Sequence, residues 1–326
     1  MILVKPSHWD STKPIECDLQ HIQLNQDLSY QALSYEWGPP NAHHNDATFP
    51  MDDTTILLNG SVITVRRNLF HALSHLRHSL GDQPIWIDAL SINQSDTPER
   101  NQQVKLMGSI YGGATQVLIW PGRTEDLDER AEALLNRQDD GYQNLTEAIT
   151  ETSLVSTLVE ELCGRTYWKR VWIQQEVFLA KSLRIMYGRR HLMPYETFDY
   201  LTGLMMREES VSEKIEGSAA SALALRKRIS SQQSPLGTWL RMACKNDLQT
   251  SEPRDLIYDM LGISFDCQLG GLEPDYDKPL LDVYLETISF CRLIRRWPDD
   301  ERFQKMLAEK LGLSWGQIST TRCRKT

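Results

Sequence analysis

Trp168, Trp172 and Glu176 follow one another at four-residue steps inside the block Tyr167-Trp-Lys-Arg-Val-Trp-Ile-Gln-Gln-Glu176. On a continuous helix over residues 165–180 they share a face, with Glu176 one turn beyond Trp172 and about 40° further round the axis. A carboxylate set behind two aromatic rings loses hydration. Its pKa then rises, and it can bind a cation or exchange a proton. The same residues also suit a plainer arrangement, with Glu176 paired to Lys169 or Arg170 at the helix edge. Two earlier blocks have the same mixed character: Tyr30-Gln-Ala-Leu-Ser-Tyr-Glu-Trp-Gly38 and Trp86-Ile-Asp-Ala-Leu-Ser-Ile-Asn-Gln94. They contribute the candidate binding residues Tyr35, Trp37, Gly38, Asp88 and Asn93, with Trp172 added from the third block. Trp37 beside a glycine turn offers a flat wall for a ring. Asp88 suits either ligand contact or an Asx turn, and Asn93 and Gln94 equally suit backbone hydrogen bonds within their own loop.

The elements that must position these residues alternate. Leu28–Tyr35 reads as a strand, and 39–53 as a loop rich in proline and aspartate. Residues 55–65 read as a hairpin turning on Asn59-Gly60. Asn68 stands at the start of an apolar stripe, Leu69, Ala72, Leu73, Leu76 and Leu80, and is expected to cap that helix. His71, His75 and His78 have metal-compatible spacing but lie off the stripe, on the side expected to face solvent. Residues 84–90 are a second strand, Asp96-Thr-Pro-Glu99 opens a second helix, and Gln116–Trp120 is a third strand. Leu183–Tyr187 is a fourth, and no strand is expected beyond about residue 190. Helices are expected over 218–230, 237–246, 255–262, 280–296 and 301–311. Strands joined by helices through short connections imply a mostly parallel α/β sheet with flanking helices. The expected organisation is an α/β domain over 1–190 and an all-helical region over 191–326. Ligands of such sheets sit outside the carboxyl ends of the strands, where Tyr35, Trp37 and Asp88 would lie. Glu176 is expected to join them in one partly dry cleft.

Composition narrows the function. The 326 residues carry a formal charge of −9, which argues against a nucleic-acid partner. The six cysteines are scattered without Cys-x-x-Cys spacing, so no metal site is expected and the thiols suit a reducing cytoplasm. The amino-terminal residues lack the apolar run of a signal peptide, and no stretch reaches the roughly 20 apolar residues of a membrane span. Dinucleotide fingerprint, P-loop and nucleophile-elbow motifs are all missing from the sequence.

The ordered blocks resemble the fungal heterokaryon incompatibility (HET) domain. The likeness rests on Ala32–Gly38, Trp86–Gln94, Glu99-Arg100, Met107–Ala114 with Val117 and Trp120, and Tyr167–Glu176. It continues through Glu252–Gly262 and Pro274–Asp277. Ser91 stands where the family commonly has cysteine, and Pro121 where it has leucine. The resemblance implies an effector of self/non-self recognition and programmed cell death. It also implies a fold similar to the TIR domain, a flavodoxin-like sandwich related to innate immunity. Leu33-Ser-Tyr35 is similar to the first-strand box of TIR domains, and Glu176 falls nearest the glutamate that serves NAD cleavage in enzymatic ones. By that implication NAD is a substrate rather than a cofactor, and Glu176 is the catalytic residue. The other reading is a non-enzymatic module that acts by self-assembly or through a receptor-type partner.

Overall fold

The computed structural model describes residues 2–4, 13–24, 28–37, 54–79, 83–124, 153–188, 190–206, 218–229, 234–246, 248–268, 270–295 and 300–316, with the single positions 135, 215 and 318. The loop expected over 39–53, Gly38, and the helix end at Leu80-Gly81 lie outside the described residues.

The strands are β1 (Ile2–Val4), β2 (Glu16–Leu19), β3 (Gln31–Tyr35), β4 (Thr55–Leu58), β5 (Ser61–Thr64), β6 (Ile85–Trp86), β7 (Gln116–Trp120), β8 (Leu183–Tyr187) and β9 (His191–Pro194). The helices are α1 (Arg67–Ser79), α2 (Asp88–Ser91), α3 (Thr97–Gly113), α4 (Ser153–Cys163), α5 (Ile173–Phe178), α6 (Tyr195–Met205), α7 (Ala219–Ile229), α8 (Leu236–Lys245), α9 (Asp255–Ile263), α10 (Leu280–Arg295) and α11 (Glu301–Lys310). Contacts divide the chain into two compact units. The first holds 1–91, 112–168 and 180–224; the second holds 92–111, 169–179 and 225–326. This interleaved division differs from the single boundary at residue 190 expected from the sequence.

Among the described residues there are nine strands, which belong to the first unit and form one sheet in the order β5-β4-β2-β1-β6-β3-β7-β8-β9. The expectation of a mostly parallel sheet needs correction. Four pairings are parallel, β2–β4, β3–β6, β3–β7 and β7–β8. The other four, β1–β2, β1–β6, β4–β5 and β8–β9, are antiparallel. Two of the antiparallel pairs are tight hairpins. Asn59 (φ 50°) and Gly60 (φ 78°) turn one, as their residue types predict, and Gly188 (φ 56°) lies in the turn of the other. The β8–β9 hairpin puts a strand beyond residue 190, where none was expected. The second expected strand is also shorter than its apolar run. It stops at Trp86, and the chain enters α2 two residues later.

The central parallel strands β6, β3, β7 and β8 run in the sequence order second, first, third, fourth. Their residues fill the core: Leu33, Tyr35, Ile85, Leu118, Trp120 and Met186 pack with the stripe Leu69, Ala72, Leu73 and Leu76 of α1. His75 is the exception to the stripe reading. It is only 2% exposed, its Nε2 lies 3.2 Å from the Tyr187 carbonyl, and its ring meets Trp120 edge-on. The expected solvated histidine face does not hold at this position.

The expected helix over 165–180 is broken. A 3-10 turn, Thr166–Lys169, precedes α5. Between them the Lys169 carbonyl accepts from the Gln249 N–H at 2.7 Å, and the Val171 N–H donates to the Gln249 carbonyl at 3.1 Å. That bridge diverts backbone groups from the helical ladder. Trp168 falls in the first unit and Trp172 in the second, so the two do not share one helical face.

Candidate functional site

In the first unit the residues past the carboxyl ends of β3, β6 and β7 are tied to one another. The Trp37 indole donates to Asp88 Oδ2 at 2.7 Å, and Asp88 Oδ1 accepts from the Ala89 N–H at 2.7 Å. Asp88 therefore opens α2 as a local cap and anchors Trp37 as well. The Arg66 guanidinium lies 5.2 Å over the half-buried Trp37 ring, a cation–π distance. Tyr35 is a buried core aromatic. Glu36, one residue on, accepts from Thr166 Oγ1 at 2.6 Å.

Asn68 has a role that the sequence reading missed. It sits inside α1 rather than capping it. Its amide donates to the Glu36 carbonyl at 2.5 Å, and its oxygen accepts from the Trp120 indole at 2.8 Å. One side chain thus joins the ends of β3 and β7. We expect Asn68→Leu to lower stability by about 1–3 kcal/mol, since it strands the Trp120 N–H. Chemical denaturation followed by Trp fluorescence checks this; an unchanged midpoint would show that the bridge contributes nothing.

The second unit holds a different cluster. The Trp172 indole donates to Asp255 Oδ2 at 3.0 Å, Thr250 Oγ1 donates to the same oxygen at 3.1 Å, and the Tyr276 hydroxyl donates to Asp255 Oδ1 at 2.6 Å. The Arg100 guanidinium lies 3.8 Å over the Tyr276 ring. Burial pushes Asp255 above the ordinary carboxylate range, and its three donors pull back against that rise. Glu176 is 1% exposed and Asp259 is fully buried. Burial first, and then the negative charge of Glu176, hold Asp259 well above the usual range. The nearby Gln175 backbone amide and Arg170 act in the opposite direction, and Asp255 adds to the rise. Neither Asp259 oxygen meets hydrogen-bond geometry with a partner. Helices α5 and α9 are joined where Gln175 Nε2 donates to the Asp259 carbonyl at 3.2 Å.

Asn93 also belongs to the second unit, and it is exposed. Its Oδ1 accepts from the Ser95 N–H at 3.2 Å, and its own N–H donates to Glu99 at 3.0 Å, so its visible work is local. Of the residues singled out from sequence, the structure joins Trp37 with Asp88 in one unit and places Trp172 and Glu176 on adjacent turns in the other. Asp255, Asp259 and Tyr276 were missed. Their signal was available: Asp255 and Asp259 are one helical turn apart in Leu-Ile-Tyr-Asp-Met-Leu, where charged residues are out of place in an apolar run. Among the described residues no set of three or more His, Cys, Asp or Glu could hold a metal ion, and no helix is long and apolar enough to cross a membrane.

A mixed α/β sheet flanked by helices, followed by a helical carboxyl-terminal region, is the class these elements define. Residues 30–176 match the model of the heterokaryon incompatibility protein (HET) family. The chain is similar to heterokaryon incompatibility protein 6, OR allele, of Neurospora crassa, at 34% identity over 124 residues. That stretch covers 36% of this chain and only 18% of the relative. No solved structure matches.

Proposed function

We propose that the chain is an effector of fungal heterokaryon incompatibility, acting in the cytoplasm, and that it cleaves NAD to nicotinamide and ADP-ribose. The observation that carries the catalytic part is Glu176, a carboxylate almost wholly removed from water beside a second buried carboxyl group. Cleavage breaks the C1′–N bond, nicotinamide leaves with the electron pair, and the ribose acquires oxocarbenium character. A desolvated carboxylate stabilises that cation strongly, and water then attacks C1′ and loses a proton. The order of the four parallel strands supports the TIR/flavodoxin-like reading, because second-first-third-fourth begins the flavodoxin-like arrangement.

Incubating the purified chain with NAD tests the reading by release of nicotinamide. We expect turnover in the wild type and its loss in Glu176→Gln; equal turnover in both would remove the assigned role. Induced expression that kills cells without lowering their NAD would favour an assembly module of the same pathway over an enzyme.

A further inference from the structure

The sheet of the first unit ends differently on its two sides. On one side β9 closes it: none of its residues is exposed, it stops on Pro194, and α6 follows at once. On the other side β5 is left open. Ser61, Val62 and Thr64 are exposed, Val62 by 70%, while Ile63 packs on the core. The backbone register shows which groups are free. The Val65 N–H donates to the Thr54 carbonyl, whereas the Leu57 and Asn59 N–H groups turn the other way, to the Ile15 and Cys17 carbonyls. The positions of β5 that bond to β4 are therefore Ser61 and Ile63, opposite Leu58 and Ile56. The N–H and C=O groups of Val62 and Thr64 point away from β4, and no described residue bonds them.

Natural edge strands are guarded by charge, proline or a bulge. The strand β5 is Ser-Val-Ile-Thr, without charge or proline, and its pairing with β4 runs without a bulge. A vacant edge of this kind accepts an extended strand. Its vacant groups are also complementary to themselves. With a two-fold axis through Ile63, Val62 of one copy lies opposite Thr64 of the other as a bonded antiparallel pair, and the reverse pair follows by symmetry. Each pair exchanges two N–H···O=C bonds, so every vacant group finds a partner. Val62 and Thr64 also meet as β-branched cross-strand neighbours on the exposed face. Each chain carries a formal charge of −9, yet the strand itself brings no like charges into the contact.

We propose that β5 is a self-association edge, at which a second copy of this chain adds its own β5 in antiparallel register and joins the two sheets into one. The edge belongs to the first unit, and its pairing does not depend on the chemistry assigned to Glu176. Two strands of 4 residues bury far less than the ~1,200 Å² of a stable interface. The pairing is therefore weak and concentration-dependent. Copies gathered at high local concentration pair where dilute ones stay apart.

Sedimentation equilibrium of the full chain, from about 1 μM to about 500 μM, tests the pairing. We expect monomer at the low end and a growing dimer fraction at the high end. Val62→Pro deletes an N–H that bonds nothing within the chain. It should therefore fold, yet associate about tenfold or more weakly, because half of the bonds across the axis are lost. Val62→Lys sets two like charges beside the axis and should weaken association in the same way, which keeps the test open if the proline variant does not fold. Wild-type association in either variant, once folded, places the contact on another surface and overturns the proposal. A wild type that stays monomeric throughout also overturns it, and leaves this edge to an extended segment of a different protein.

Discussion

Gly262→Ala will lower the melting temperature of this protein by on the order of 10 °C, the loss expected when about 3 kcal/mol of packing strain enters a domain of this size. A Cβ built at Gly262 falls 1.6 Å from Gln175 Nε2 and 2.7 Å from its Cδ. Gln175 is an amide that could in principle swing away, but it is buried and its Nε2 holds the Asp259 carbonyl. The retreat is also narrow, because a Cβ at Gly108 would lie 3.7 Å from the same amide nitrogen and 3.7 Å from the Gly262 Cα. Displacing Gln175 therefore breaks a buried hydrogen bond as well as compressing the α3–α9 contact. Gly316→Ala is the control: nothing lies within 4 Å of the added carbon, and the change should stay within about 0.5 kcal/mol. Gln175→Ala in the Gly262→Ala background should recover part of the loss despite its own cost, since the two residues share one space. Wild-type melting of Gly262→Ala would end this account of the packing.

What the sequence revealed and what it concealed divide along the range of the interactions. Asn59-Gly60 dictates its turn locally, and the stripe Leu69, Ala72, Leu73 and Leu76 dictates the buried face of α1, so both were legible. So were all five helices expected beyond residue 218, to within a residue or two at their ends. Asn68 was legible as a polar residue at a helix start and was misread as a cap, because its partners Glu36 and Trp120 come from two distant strands. His75 is off the apolar stripe by spacing yet buried, because Tyr187 and Trp120 close over it. The break between Trp168 and Trp172 depends on Gln249, nearly eighty residues away, and no helical period in the third block could disclose it. The candidate site shows the same limit. Glu176 stands out by residue type and spacing. Its coupling to Asp259 arises only when α9 packs on α5, and the expectation of one cleft shared by Glu176, Tyr35 and Asp88 joins residues of different units.

Glu176→Gln separates chemistry from folding more sharply than any other single change. Glutamine keeps the shape of the side chain and one acceptor oxygen while removing the charge. If Glu176 stabilises the ribosyl cation, the transition state loses an electrostatic partner in a dry site, and NAD turnover should fall by about 10²–10³-fold with substrate affinity little changed. A residue buried only for architecture predicts the opposite pattern, with lost stability and any residual activity scaling with the folded fraction. Stability should instead hold or rise at pH 8, because the substitution removes the negative charge that acts most strongly on Asp259 after burial itself. Measuring kcat and KM for NAD beside the melting temperature of the same preparation gives both readouts. A fall in kcat without a fall in melting temperature assigns the carboxylate to the reaction. Parallel losses in the two would return Glu176 to the framework of the second unit and leave the incompatibility function to assembly.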